Sequence, residues 1–101
     1  IMNNIEKMTR KTQEAMQAAA NSAEKAGHPA VEPEHLLLEL ITQDAGTIPR
    51  VLEKVGVKPA TIEADLRGRI EKLPRSSGSN VRPGASQRLV RFFESAEEEA
   101  K

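Results

Sequence analysis

A chain of 101 residues with 15 basic and 15 acidic side chains has no net charge to draw it to nucleic acid or anionic lipid. Without cysteine it can build neither a disulfide framework nor a thiolate metal site, and its longest apolar run, residues 36–38, is far below the ~20 residues that span a membrane. Two Phe with no Tyr or Trp, in a chain that is 38% hydrophobic, leave one modest domain with a core of Leu, Ile, Val, Met and Ala.

Apolar spacing predicts five helices and no sheet, because no segment sustains period-two alternation. The first, over about 4–26, places Ile5, Met8, Thr12, Ala15, Met16, Ala19, Ala23 and Ala26 on one stripe, whose alanines admit a close partner. The second, over about 33–43, carries Leu36, Leu37, Leu40 and Ile41. A short third helix, about 48–55, has Ile48, Val51, Leu52 and Val55 at i, i+3, i+4 and i+7, with Thr47 expected as N-cap and Gly56 as stop. The fourth starts at Pro59, carries Ile62, Leu66, Ile70 and Leu73, and ends before Pro74, while Lys58 offers no acceptor at its cap. Leu37, Leu40, Val51, Leu52, Leu66 and Ile70 are expected in one buried cluster with Met8, Met16 and Ala19.

Between the first two helices lies Gly27-His28-Pro29-Ala30-Val31-Glu32-Pro33-Glu34-His35-Leu36-Leu37-Leu38-Glu39-Leu40. Gly27 can take positive φ and end the first helix, because it has no Cβ to clash. Pro29 cannot continue that helix, and Pro33 suits the first turn of the next. Glu32 and Glu34 then sit near the positive end of the new helix dipole. The physics of this stretch specifies a helical hairpin.

Residues 75–85, with Ser-Ser-Gly-Ser-Asn and then Arg-Pro-Gly, are expected to bury no apolar area and to act as a flexible connection. A fifth helix follows, with Ser86 as N-cap and Leu89, Phe92, Phe93, Ala96 and Ala100 on its apolar side. Shifted by 77 positions it aligns with the first: Thr9 falls on Ser86, Thr12 on Leu89, Ala15 on Phe92, Met16 on Phe93, Ala19 on Ala96 and Ala23 on Ala100. The organisation expected is therefore a four-helix repeat over 2–74, a connection over 75–85, and the first helix of a second, truncated repeat over 86–101. Leu89, Phe92 and Phe93 should dock on the first unit or be covered by a neighbouring chain.

Catalytic signals are poor. No Gly-rich phosphate loop ending in Lys-Ser/Thr is present, and no Cys or paired Ser suggests a nucleophile. His28, His35, Glu32 and Glu34 are possible metal ligands by type. They occupy a turn and a helix start rather than i, i+4 on one helical face, which favours a structural corner over a metal centre. Glu97, Glu98 and Glu99, like Lys7, Arg10, Lys11, Arg67, Arg69 and Lys72, read as solvated helix charges.

Gly-His-x-x-Val-x-x-Glu-His-Leu-Leu-Leu at 27–38 closely resembles the core motif of the Clp-family N-terminal domain. Ile5-Glu6-Lys7-Met8-Thr9-Arg10-Lys11, Ile48-Pro49-Arg50-Val51-Leu52-Glu53-Lys54-Val55-Gly56-Val57, Lys72-Leu73-Pro74-Arg75 and Arg88-Leu89-Val90-Arg91 extend the resemblance over almost the whole chain. Thr12 departs from it, since the family usually has an apolar residue or Ala there. The resemblance implies an all-α, Clp N-terminal-type helical bundle of pseudo-repeats tethered to an AAA+ motor that is hexameric in the family. It implies no catalysis in this segment, with ATP and Mg bound only in the motor modules. The expected partners are unfolded or aggregated polypeptides, handled by the disaggregase branch of the family, in the cytoplasm and without nucleic acid or membrane. Thr9 matches a family surface position linked to substrate handling, and Leu89, Phe92 and Phe93 complete the candidate polypeptide-binding residues. The alternative is adaptor docking, as in the branch that feeds a partner protease.

Overall fold

The computed structural model describes residues 4–43, 46–75 and 82–99, with side chains from Arg10 to Glu98 within them. Helix α1 (Asn4–Ala26) leads to a two-residue strand β1 (Ala30–Val31) and helix α2 (Pro33–Thr42). Helices α3 (Thr47–Lys54) and α4 (Pro59–Glu71) follow, then strand β2 (Gly84–Ala85) and helix α5 (Gln87–Glu99).

Helix α1 stops as its sequence requires. Gly27 has φ 77°, its N–H donates to the Glu24 carbonyl at 3.1 Å, and the His28 N–H donates to Ala23 at 2.9 Å. These two bonds form a Schellman closure, which satisfies carbonyls the helix leaves free. The same closure recurs after α3, where Gly56 has φ 82°, its N–H reaches Glu53, and Val57 donates to Leu52 at 2.8 Å. The start of α3 differs from expectation: Thr47 is already helical and Gly46 is the N-cap, with no side-chain cap bond. Lys58 likewise gives α4 no side-chain cap. Helix α5 has the expected cap, since the Leu89 N–H donates to Ser86 Oγ at 3.0 Å.

The core has two parts because α2 is apolar on opposite faces. Towards α1 and α5, Leu36 and Val31 join Ala15, Ala19, Ala23 and Leu89, flanked by Met16, Ala20 and Leu40. Towards α3 and α4, Leu38, Ile41 and Leu66 are buried, flanked by Leu37, Leu52, Ile62 and Ile70. Apart from Met8, whose side chain lies outside the described residues, the expected single cluster is thus divided between two sides of one helix. Val51 leaves it altogether, being 48% exposed. Three consecutive leucines point in three directions on a helix, and spacing alone did not place Leu38 in the core.

The expectation of no sheet is overturned on a small scale. Ala30 pairs with Gly84 and Val31 with Ala85 in parallel. Two residues cannot display a period, so alternation has no power to reveal such a pair. The end of the connection is also tied down: Pro83 is buried, and Arg82 reaches Glu24 at 3.0 Å and Asn21 at 2.8 Å. Among the described residues no helix is long and apolar enough to cross a membrane.

Candidate functional site

Where α1, α2 and α3 meet, a cleft of about 80 Å³ is lined by Lys11, Thr12, Leu40, Gln43, Thr47 and Ile48. Gln43 fixes one wall by donating from Nε2 to the Lys11 carbonyl at 2.6 Å. From the mouth of this cleft an apolar strip continues along α3. Ile48, Val51 and Val55, at i, i+3 and i+7, are 37%, 48% and 67% exposed, while Leu52 turns inward to the second core. This strip is the most open run of large aliphatic side chains among the described residues. Exposed aliphatic side chains in a row beside a cleft are the kind of surface on which an apolar segment can be laid.

The sequence-predicted binding residues separate. Leu89 is fully buried, so it anchors α5 and presents nothing to a ligand. Phe92 and Phe93 remain over a third exposed, stacked edge to face with ring centroids 5.9 Å apart, beside the half-open Val90. Thr9 lies on α1 one turn before Thr12, its side chain outside the described residues. Helical spacing identifies these positions as apolar or outward-facing, and burial then divides them.

The Gly-His…Glu-His corner is buried and closed. The Glu32 N–H donates to His35 Nδ1 at 2.9 Å, so that nitrogen is unprotonated and the proton of the neutral ring sits on Nε2. His35 Nε2 in turn donates to His28 Nδ1 at 2.9 Å, which puts the His28 proton on its own Nε2. That last N–H is buried and has no acceptor among the described residues. Burial pushes the affinity of both rings for a second proton below the ordinary value of 6.5; the Arg75 charge adds to this at His28, and the His28 ring adds to it at His35 against the pull of Glu32 and Glu34. Among the described residues no group of three His, Cys, Asp or Glu side chains is arranged to hold a metal.

Residues of α5 close this corner from outside. Ser86 Oγ donates to Glu32 at 2.8 Å, and the Ser86 N–H donates to the Val31 carbonyl at 3.0 Å. Arg88 spans both carboxylates, at 3.2 Å from Glu32 and 2.8 Å from Glu34. Burial works against the Glu34 charge, but the Arg88 hydrogen bond, the Glu34 backbone N–H and the charges of Arg88 and Arg69 together outweigh it and hold this carboxyl below its ordinary range. Arg88 and Ser86 were missed as partners of the hairpin because 54 or more residues of sequence separate each pair. The charge of Arg88, opposite to that of Glu32 and Glu34, was the only available hint.

The Clp repeat (R) N-terminal domain family matches residues 7–101. The chain is 51% identical over 94 residues to the chaperone protein ClpB of Bdellovibrio bacteriovorus, covering 93% of this chain and 11% of that protein. It is 38% identical over 90 residues to the chaperone protein ClpB of Mycobacterium tuberculosis, covering 89% of this chain and 11% of that protein. It therefore spans about a tenth of the length of these curated relatives. Among solved structures it is similar to the N-domain of ClpV from Vibrio cholerae, with TM-score 0.72 and 20% identity, covering 97% of this chain and 60% of that one. It is also similar to a complex of a ClpV N-domain with a VipB peptide, with TM-score 0.67 and 20% identity, covering 97% of this chain and 61% of that one. At that identity these two likenesses concern the fold.

Proposed function

The chain belongs to the Clp repeat N-terminal domain family, and from that premise we propose that it is the substrate-interaction domain of a ClpB-type disaggregase. It binds unfolded or aggregated polypeptide without catalysis of its own and delivers it to a hexameric AAA+ motor in the same protein. ATP and Mg belong to that motor, and the assembly works in the cytoplasm. In this reading residues 2–74 form the first repeat, 75–85 the connection and 86–101 the opening helix of the second.

One observation carries the reading: the cleft at Thr12, Leu40 and Ile48 runs into the exposed Val51 and Val55 of α3. An extended or helical apolar segment laid there exchanges water for aliphatic contact at about 25 cal/mol per Å². The peptide complex of a similar ClpV N-domain supports the idea that this fold can present a peptide-binding surface.

The test uses the 101-residue chain and a fluorescent, permanently unfolded probe, reduced and carboxymethylated α-lactalbumin. Ile48→Ser with Val51→Ser should weaken binding by about fivefold or more, close to 1 kcal/mol, with the thermal midpoint measured on the same sample. Phe92→Ser with Phe93→Ser tests the α5 face in parallel. Undiminished binding by both folded pairs would overturn the proposal. A loss confined to the Phe pair would move the site to α5.

A further inference from the structure

The His28–His35 corner does more than turn the chain, because α5 rests on it. Segment 31–34 is held from inside by the Glu32 N–H to His35 and used from outside by Ser86 and Arg88. Val31 accepts the Ser86 N–H and pairs with Ala85, so the start of α5 is registered on the same few residues.

The hydrogen-bond chain allows one protonation state. The Glu32 backbone N–H can only donate, so a proton on His35 Nδ1 would set two N–H groups against each other at 2.9 Å. A proton on His28 Nδ1 would oppose the His35 Nε2–H in the same way. Either event breaks the chain at its centre. Both rings are at least nine-tenths buried, so a new charge cannot be relieved by water in place.

We propose that the His28–His35 pair is a proton-operated latch: with both rings neutral it fixes segment 31–35 under the start of α5, and protonation of either ring releases α5 from the hairpin. Among the described residues, three charged groups bear on the pair. Arg75, after α4, opposes a charge on His28; Glu32 and Glu34, at the start of α2, favour one on His35. Those two carboxylates are already bound to Arg88 of α5, so a ring cation competes with Arg88 for them. That competition acts in the same direction as the broken hydrogen bond, since it loosens α5. The lowered proton affinity of the two rings is the counterpart of this geometry, because a proton must pay for the release. The inference concerns the hairpin and α5 alone and stands whether or not the α3 strip binds polypeptide.

The test reads α5 directly in the 101-residue chain. Amide hydrogen exchange at Leu89 and Val90, whose N–H groups bond Ser86, is compared between about pH 7.5 and about pH 5 after correction for intrinsic rates. One proton taken up only on release changes the equilibrium by about tenfold per pH unit beyond the titration, so protection should fall at least about tenfold. In His28→Gln with His35→Gln the fall should vanish; Gln is a usual partner for the N-cap N–H at the third helical position, so α2 keeps its cap. The pattern is overturned if protection is unchanged, or falls equally in the double variant, which would assign the effect to the carboxylates. Ring titrations by NMR in the unsubstituted chain provide a second reading that needs no variant. The Leu89 amide shift must follow the His35 ring with a shared midpoint, and independent midpoints would overturn the latch.

Discussion

The Arg88 guanidinium lies 2.8 Å from the Glu34 carboxylate and 3.2 Å from that of Glu32, so one side chain of α5 holds both acids at the start of α2. Helix N-termini favour acidic groups, and Arg88 adds a second attraction to acids already placed there. Glu34 is mostly shielded whereas Arg88 is half exposed, which limits what solvent leaves of the pair. Arg88→Ala should lower stability by about 1 kcal/mol, with a smaller loss in high salt. Urea denaturation at two salt concentrations checks both, and equal losses would show that the contribution is packing of the side-chain stem.

Leu89 and Phe92 sit three positions apart on one helix and should behave very differently. Leu89→Ala removes a side chain with no exposure and should cost roughly 2–5 kcal/mol. Phe92→Ala removes a ring already 37% exposed and should fall below that range. Thermal and urea unfolding of the two variants decides it, and equal losses would mean that Phe92 is more deeply docked than its exposure indicates.

Gly27→Ala should destabilise by about 1 kcal/mol, because a Cβ is penalised at φ 77°. Gly56→Ala, at φ 82° and with nothing near the added Cβ, should cost a similar amount through backbone strain alone. A neutral effect at Gly56 would show that the chain after α3 relaxes readily.

Acid should weaken the fold in two stages. The histidines bind their second proton more weakly folded than unfolded, so the unfolded chain takes up more protons below 6.5. Their contribution is complete above that value and declines as pH falls through the window beneath it. Glu34, whose folded carboxyl is shifted below its ordinary 4.5, contributes above 4.5 and loses that contribution at lower pH. The midpoint of thermal unfolding should therefore begin to drop below about pH 6.5, and Glu34→Gln should remove only the lower stage. A flat midpoint down to about pH 5 would contradict the histidine stage.

Helix limits were legible in the sequence because local physics sets them. Gly27 and Gly56 supply the left-handed residue each closure needs, Pro33 and Pro59 open helices, and Ser86 caps the last. The family was legible too, through the Gly27–Leu40 motif, and the comparisons bear it out. Spacing also marked the apolar stripes of α1, α3 and α5 as faces. Only the tertiary structure decided which parts of those faces are covered: Val51 stays in water, Leu38 goes inside, and Leu89 is fully buried while Phe92 stays partly exposed. It also made the two-residue strand pair, the Arg88 clamp and the closed His28–His35 chain, each joining groups that the linear pattern does not link. Burial and long-range hydrogen bonding depend on where α5 folds back against α1 and α2, and a period of 3.6 carries no information about that return.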